Sequence, residues 1–586
     1  YKVCRDGCRL LCQAPTGIGK SMSVLFPALK SMGNESVGPI FYLTARGTTR
    51  TAAENALAIL RDTEPELHLR SVTLTAKDKI CLCETRECTP EACPYANGYY
   101  ARIKGALWDV LDVPCLTAET LQEYAERHTV CPFELGLDSS LWSDVIIGDY
   151  NYLFDPVVHL VRFFESAGDY IFLVDEAHNL PGRAREMHSA ALTKTSFYEA
   201  KKLLGKGKSS LKNALTKVND VFIEWRHRAE EETAARDGRF GKTFFLKERS
   251  EEFDHLLNRL CEPLEAWLDD HREPDETHTA LLQLYFDVRA WLRVADTFDD
   301  HFVLQITASG SEVRAAQLCL DPSAFLADSF ALGRAAVLFS ATLAPASYYK
   351  DLCGVPEARA VALRSPFPAG NQGLFCIGNV STRYKDRDAS LAIVAESLAT
   401  MVRARCGNYL AFFPSYAYME QAYAQFKEHC PEINCIKQEN AMDEQQKAAF
   451  LAQFVPGPSQ PLLGFAVMGG VFGEGVDLTG DRLIGVGIVG PGLPQVGPRQ
   501  EQLRDYFEQT RGSGFDYAYR YPGMNKVLQA AGRVIRTPRD KGVVLLIDNR
   551  FAMPDYRRLM PPHWSHLKMI YDTEKLEREL WRFWEE

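Results

Sequence analysis

Arg9-Leu10-Leu11-Cys12-Gln13 has the pattern of a short strand, and it runs directly into Ala14-Pro15-Thr16-Gly17-Ile18-Gly19-Lys20-Ser21. Met22 to Leu29 then follows as a mostly apolar, helix-like stretch. Few folds accommodate strand, glycine loop and helix in that order. The backbone N–H groups of such a loop point inward at an anion, and the helix presents its positive dipole end to it. Gly17 and Gly19 let the backbone approach without a Cβ in the way. Lys20 is then placed for the β- and γ-phosphates of ATP, and Ser21 for Mg2+. The general pattern has a glycine where this chain has Ala14.

A second constraint comes from Tyr170-Ile171-Phe172-Leu173-Val174, an apolar run ending in Asp175-Glu176-Ala177-His178. A parallel strand buried on both faces delivers the residues at its carboxyl end to the ligand crevice. Asp175 is expected to hold Mg2+, Glu176 to polarise the attacking water, and His178 to couple the site to a polymer-binding side. Ala335 to Phe339 is another buried-type strand, leading to Ser340-Ala341-Thr342-Leu343. Further strands are predicted at Asn408–Phe413, Leu462–Val467, Leu483–Val489 and Val543–Ile547. Their alternation with helical stretches predicts a second parallel α/β domain.

Two motifs in that half carry chemistry. Gly469 to Asp477 is a glycine-rich loop directly after a strand, and Gly475 and Asp477 are its candidate nucleotide-side residues. Gln529-Ala530-Ala531-Gly532-Arg533-Val534-Ile535-Arg536, read as a helix, puts Gln529, Arg533 and Arg536 on one face. Guanidinium groups entering the first half's site would stabilise charge on the transferring phosphoryl group.

At 586 residues the chain exceeds what one hydrophobic core supports, so three or four domains are expected. No apolar run reaches the roughly 18 residues of a membrane span, and a cytosolic location is expected. The chain opens on Tyr1 close to a strand, so the natural protein is expected to begin earlier. A net charge of −11 excludes a generally basic nucleic-acid coat but leaves room for a local basic channel. Of 16 cysteines, six crowd into residues 81 to 131, which calls for its own explanation.

The strings A-P-T-G-I-G-K-S, V-D-E-A-H-N-L, S-A-T-L, F-F-P-S-Y, G-E-G-V-D and Q-A-A-G-R-V-I-R resemble the motif set of the XPD/DinG iron–sulfur branch of superfamily 2 helicases. The segment Asp144 to Leu153 also looks like that family's stretch ahead of its acidic box. The resemblance spans nearly the whole chain and is weakest between about residues 190 and 300. It implies an α/β fold of two RecA-like parallel-sheet motor domains, the first carrying an iron–sulfur insertion and a mostly helical arch insertion. The expected limits are 1–75, 136–184 and 301–350 for the first motor domain and 76–135 for the cluster domain. The arch takes 185–300 and the second motor domain 351–586. The implied activity is ATP-dependent DNA unwinding, 5′ to 3′ along one strand, by a monomer acting on single-stranded, forked or tailed DNA.

The six cysteines sit where this family inserts its cluster domain. Cluster iron takes four thiolates. The resemblance assigns Cys81, after the basic Lys77-Asp78-Lys79, then Cys88, Cys93 and Cys131, the last followed by Pro132-Phe133, as ligands of a [4Fe–4S] cluster. Cys83 is an alternative to Cys81, and Cys115 is a spare. Four thiolates also suit zinc, but the paired C-x2-C knuckles usual for zinc are absent.

Residues 185–300 read as amphipathic helices with leucine and aromatic stripes, taken as core, and Ala234–Leu246 as a turn-rich connection. Lys201, Lys202, Lys206 and Lys208 are candidates for a DNA pore, against a solvated helix face. Two rival functions stand beside the helicase: a double-strand translocase or RNA helicase with the same engine, and an ATP-gated nucleic-acid-binding switch without processive unwinding.

Overall fold

The computed structural model describes the chain apart from residues 36, 46, 65, 206–208, 236–240, 274, 471, 474–477 and 586. Six strands open the chain: β1 (Arg9–Gln13), β2 (Ile40–Thr44), β3 (Ser71–Thr73), β4 (Cys115–Leu116), β5 (Val145–Asp149) and β6 (Gly168–Asp175). Four more, β7 (Ala190–Thr193), β8 (Lys242–Leu246), β9 (Phe302–Ser309) and β10 (Glu312–Cys319), form an insertion before β11 (Gly333–Ser340) and β12 (Arg359–Ala362). The rest are β13 (Gln372–Ile377), β14 (Asn408–Phe413), β15 (Asn434–Lys437), β16 (Leu462–Val467), β17 (Gly485–Val489), β18 (Gly542–Ile547) and β19 (Lys568–Ile570).

Two parallel sheets define two RecA-like lobes. The first has the order β12-β1-β11-β6-β2-β5-β3-β4 and the second β15-β16-β14-β17-β18-β13-β19. Each sheet is covered on both faces, and this explains the continuous apolar runs. Along β2, Ile40 and Tyr42 enter one core with Leu25, Ala28 and Leu57, while Phe41 and Leu43 enter the opposite core. Along β14, Leu410 and Phe412 pack on one side and Tyr409, Ala411 and Phe413 on the other. Alternation along a strand therefore distributes apolar side chains between two cores, and polar groups are confined to strand ends.

The insertion between β6 and β11 is more than helical. β7, β10, β9 and β8 form an antiparallel four-stranded sheet, packed against the helices Ser210–Ala235, Glu251–Asp270 and Glu276–Asp296. Residues 302–319, expected in the first motor domain, pair here instead. They form a hairpin about Gly310 at φ +59°, and a tight hairpin makes an antiparallel pair, whereas joining a parallel sheet requires a crossover. The connection expected at 234–246 is the end of a long helix followed by β8, with 236–240 outside the described residues. Lys201 and Lys202 lie on the helix Lys194–Leu203, and Lys206 and Lys208 fall outside the described residues.

The cysteine-bearing stretch is not a separate core. Its helices Tyr99–Val110, Ala118–His128 and Pro132–Ser140 bury Ile103, Leu121, Ala125 and Leu135 in the same cluster as the first sheet. Its longest run without helix or strand is 81–98. The two lobes are also stitched together. Leu503, Phe507 and Tyr517, from the second half, pack into the first lobe's core, and the Tyr517 hydroxyl donates to Asp351 at 2.5 Å.

Trp291, fully buried, donates its Nε1–H to the buried Asp254 at 2.8 Å and anchors the insertion's core. Trp291→Ala is expected to destabilise this unit by about 3–5 kcal/mol. Hydrogen exchange should then show lost protection across 190–319 with the motor sheets retaining theirs; equal loss everywhere would mean that the units unfold as one.

Candidate functional site

β1 ends at Gln13, and the chain turns through the glycine loop before the helix Lys20–Glu35 begins. Gly17 and Gly19 stand at φ +81° and +72°, the left-handed region that a side chain resists. Ala14 keeps a negative φ, so the methyl there is tolerated. Its N–H donates to the Ser340 carbonyl at 2.8 Å, tying the loop to β11.

β6 lies two strands from β1 and delivers Asp175 and Glu176 to the same edge. Lys20 Nζ stands 3.5 Å from Glu176 Oε1. Tyr42 bridges the two groups predicted for Mg2+: its hydroxyl donates to Asp175 Oδ2 at 2.7 Å and lies 3.0 Å from Ser21 Oγ. Ser21 and Asp175 are thus linked through one hydroxyl, and their oxygens are hard donors of the kind that suits Mg2+. The buried Tyr150 hydroxyl donates to the Asp175 carbonyl. Glu176 is one of three non-glycine residues at positive φ (+49°) among those described. Holding it there costs of order 1–3 kcal/mol, and its N–H is fixed by Asp175 Oδ1 at 2.8 Å.

The two carboxylates are electrostatically distinct. Burial and the adjacent Glu176 charge raise Asp175 to about 6. Burial acts on Glu176 in the same sense, but Lys20 and His178 outweigh it and hold that carboxylate below its ordinary range. Glu176 is therefore anionic and able to accept a proton from water or align it.

A hydrogen-bonded chain leads from Glu176 into the other lobe. Ser340 Oγ donates to Glu176 Oε2 at 3.0 Å, His178 Nδ1 lies 2.7 Å from Ser340 Oγ, and Gln529 Nε2 lies 2.6 Å from His178 Nε2. Once Ser340 donates to the carboxylate, His178 must donate from Nδ1 and accept at Nε2, which the Gln529 amide satisfies. Every donor in the series points toward Glu176. The lobes also meet at the glycine loop: Thr16 Oγ1 donates to the Gly532 carbonyl at 3.3 Å. A Cβ at Gly17 would collide with the Arg536 carbonyl and come within 2.6 Å of the Phe367 ring.

One expectation fails here. The helix carrying Gln529 is Tyr521–Ala531 and stops before Arg533 and Arg536. The chain turns at Gly532, and Asp540 accepts the Arg536 N–H at 2.7 Å and that of Thr537, so the backbone leaves the helical path. Gln529, Arg533 and Arg536 nevertheless line one cleft of about 1180 Å³ with Pro15, Thr16, Gly17, Gly19, Lys20, Ser21, Asp175 and Glu176. Ala14 and Ile18, the loop's other expected members, do not line it. Arg533 donates to the Gly473 carbonyl at 3.1 Å, while Gly475 and Asp477 lie outside the described residues. Phe367, His563, Trp564 and His566 also line the cleft and were not foreseen, because Pro561-Pro562-His563-Trp564 has no motif character.

The cysteines fall into two neighbouring groups. Cys83 Sγ is 3.8 Å from Cys93 Sγ, and partial burial with the Cys93 and Cys81 thiols pushes Cys83 up to about 11. Lys77 lies among Cys88, Glu134 and Cys131, which raise its ammonium against the effect of burial; at Cys131 burial outweighs the Lys77 charge and raises the thiol. Cys115 is a strand residue, in register with Ser71. Among the described residues no three His, Cys, Asp or Glu side chains are gathered as a metal site. The donors Cys81, Cys88, Cys93 and Cys131 fit a four-thiolate cluster in number and chemistry.

Two parallel-sheet lobes thus bring a glycine loop, a paired carboxylate and guanidinium groups to one cleft, the RecA-like arrangement. Residues 64–197 match the DEAD_2 family, and residues 398–567 match the family described as Helicase C-terminal domain. The XPD subunit of the general transcription and DNA repair factor IIH is 24% identical in Schizosaccharomyces pombe, over 76% of this chain and 67% of its own length. Its Dictyostelium discoideum counterpart is 22% identical over 95% of this chain and 84% of its own length. ATP-dependent DNA helicase CHL1 of Coccidioides immitis is 22% identical over 77% of this chain. The chain spans only 60% and 45% of CHL1 and of the rat regulator of telomere elongation helicase 1. A solved XPD helicase superposes with a TM-score of 0.64 at 18% identity, covering 97% of both chains, and Xpd4 of S. tokodaii with 0.60 at 15%. The chain belongs to the XPD/DinG-like superfamily 2 helicases.

Gln529→Ala breaks the series at its far end without touching the phosphate loop. It is expected to lower kcat for ATP hydrolysis roughly 10- to 100-fold, the scale for a misplaced reacting group, with little change in KM. Steady-state ATPase assays check this; an unchanged kcat would show that His178 holds Glu176 without the second lobe.

Proposed function

We propose that this chain is an ATP-dependent DNA helicase that moves 5′ to 3′ along single-stranded DNA and unwinds forked or tailed duplexes as a monomer, in DNA repair or replication. The observation that carries this reading is the continuous contact series from Glu176 through Ser340 and His178 to Gln529 across the cleft. A hydrolytic carboxylate positioned partly by the opposite lobe is correctly set only when the lobes are closed, which makes hydrolysis and lobe movement one process.

In this reading the glycine loop, Ala14 to Ser21, cradles the phosphates, and Lys20 neutralises the β- and γ-phosphates. Ser21 and Asp175 would hold Mg2+, which supplies charge neutralisation on the phosphate oxygens. Glu176 orients the attacking water, and Arg533 and Arg536, entering from the second lobe, stabilise charge developing on the transferring group. Gly475 and Asp477 are assigned to the nucleotide side of the cleft from their motif alone. Product release lets the lobes separate, and each cycle advances the strand by a small step. No helix among the described residues is long and apolar enough to cross a membrane.

Cys81, Cys88, Cys93 and Cys131 are proposed to bind a [4Fe–4S] cluster. Bound, it would tie the segment 81–98, which has no helix or strand of its own, to the helix Pro132–Ser140. Lys77, beside Cys88 and Cys131, would supply a counter-charge to a cluster held there, while burial alone raises the Cys131 thiol.

Lys20→Ala is expected to abolish ATP hydrolysis while leaving visible cluster absorbance intact, and full turnover would remove the phosphate-loop assignment. Cys93→Ser and Cys131→Ser, purified anaerobically, should lose iron and strand displacement while retaining much of the ATPase; stoichiometric iron in both variants would show the ligand set to be wrong. Strand displacement on duplexes with 5′ or 3′ tails, in DNA and in RNA, tests polarity and substrate. ATP turnover that DNA leaves unstimulated, with no displacement, would favour the ATP-gated switch.

A further inference from the structure

At the carboxyl edge of the second sheet, the loop 378–386 follows β13 and is bolted in place. Thr382 donates its N–H and its hydroxyl to Asp548 Oδ2 at 3.0 and 2.5 Å, and Asp548 is fully buried at the end of β18. Arg550 closes the anchor by donating Nε–H to Asp548 Oδ1 at 2.7 Å. A rigid loop so held would be expected to bury its large side chains, yet Tyr384 is 86% exposed.

Beside it, Arg387 is part-buried and has no carboxylate partner among the described residues. Its guanidinium lies between the Tyr384 and Tyr418 rings, 5.4 and 4.9 Å from their centroids. Nη1 donates to Ser415 Oγ at 3.4 Å, while Nε is buried without a hydrogen-bond partner. Among the described residues Arg383 has only neutral partners, Ser381 Oγ and Asn549 Oδ1 at 3.3 and 3.2 Å. The nearby Asp386 carboxylate accepts from Ser381 instead, at 2.6 Å. A guanidinium partly withdrawn from water without a counter-ion, as at Arg387, is costly, and with Arg383 beside an open aromatic face the cluster suits an anion that also carries an apolar plane.

Ser415 places this cluster relative to the motor. It follows β14 directly and caps the helix Tyr416–His429. β13, β14 and β18 lie in one sheet in which β14–β17, β17–β18 and β18–β13 are all parallel, so their carboxyl ends share one edge. An extended polymer following that edge would meet Ser415, Arg387, Tyr384 and Arg383 together.

We propose that Arg383, Tyr384 and Arg387 form a single-nucleotide subsite of the DNA track, with a base stacked on Tyr384 and its phosphate held by the two guanidinium groups. This rests on the DNA-helicase reading above and names where the second lobe grips the strand. Base stacking on an aromatic tolerates any sequence, and phosphate contacts release counter-ions, so the subsite would be sequence-blind and salt-sensitive.

The test is fluorescence anisotropy of a labelled oligothymidylate, and of the same oligonucleotide made abasic at its central positions, titrated with the full chain over a range of salt. Tyr384→Ala is expected to weaken oligothymidylate binding roughly tenfold and to erase the preference for the base-bearing strand, while Tyr384→Phe restores both. Arg387→Ala should weaken both oligonucleotides alike and flatten the salt dependence by about 0.7 in log–log slope, the value for one single-strand phosphate. Wild-type protein that binds DNA while Tyr384→Ala keeps its affinity and its base preference would overturn the subsite alone. Wild-type protein that binds neither oligonucleotide would overturn the DNA reading and the subsite with it.

Discussion

The two-sided burial of the parallel sheets is the constraint on which the rest of the molecule depends. With both faces of β2, β6 and β14 committed to apolar cores, polar chemistry has no place along the strands and collects at their carboxyl ends. The glycine loop after β1, the carboxylates at the end of β6 and Ser340 at the end of β11 share one edge for that reason. In the second sheet the same rule puts Ser415 after β14 and the fully buried Asp548 after β18.

What turns two such sheets into one site is contact across the cleft. Gly17 has no side chain where the Arg536 carbonyl and Phe367 approach, and Thr16 reaches Gly532. The series from Gln529 to Glu176 adds direction, because each member donates toward the carboxylate. Glu176 itself sits at a strained backbone position, held by Asp175 on one side and Ser340 on the other. Strain kept in place by contacts from several elements is expected where a reacting group must be pre-positioned. The burial of Leu503, Phe507 and Tyr517 in the first lobe's core shows that the lobes share apolar surface as well as the cleft, so any opening must be accommodated by that packing.

The cysteine segment follows a different logic. Its helices draw on the first lobe's core, and 81–98 is its longest run without helix or strand. Thiols distributed over such a stretch would gain order from a common ligand more readily than from burial, and Lys77 stands beside two of them.

The strand runs, the glycine loop, the acidic box and the order of the motifs were legible in the sequence because each is local. A strand buried on both faces is continuously apolar, and a loop that wraps phosphate needs glycine at fixed places. The helix expected to carry Arg533 and Arg536 was misread because Gly532 and Asp540 end it through contacts that residue spacing does not express. β9 and β10 were missed because a hairpin pattern does not say which sheet it joins. His178 and Ser340 were recognisable as motif members, but their line of donors toward Glu176 was not. Local residue chemistry thus determined the engine's parts and their order along the chain. Only the tertiary structure decided which parts meet, since hydrogen bonds between residues 162 and 351 positions apart depend on how two sheets pack, and no local pattern encodes that packing.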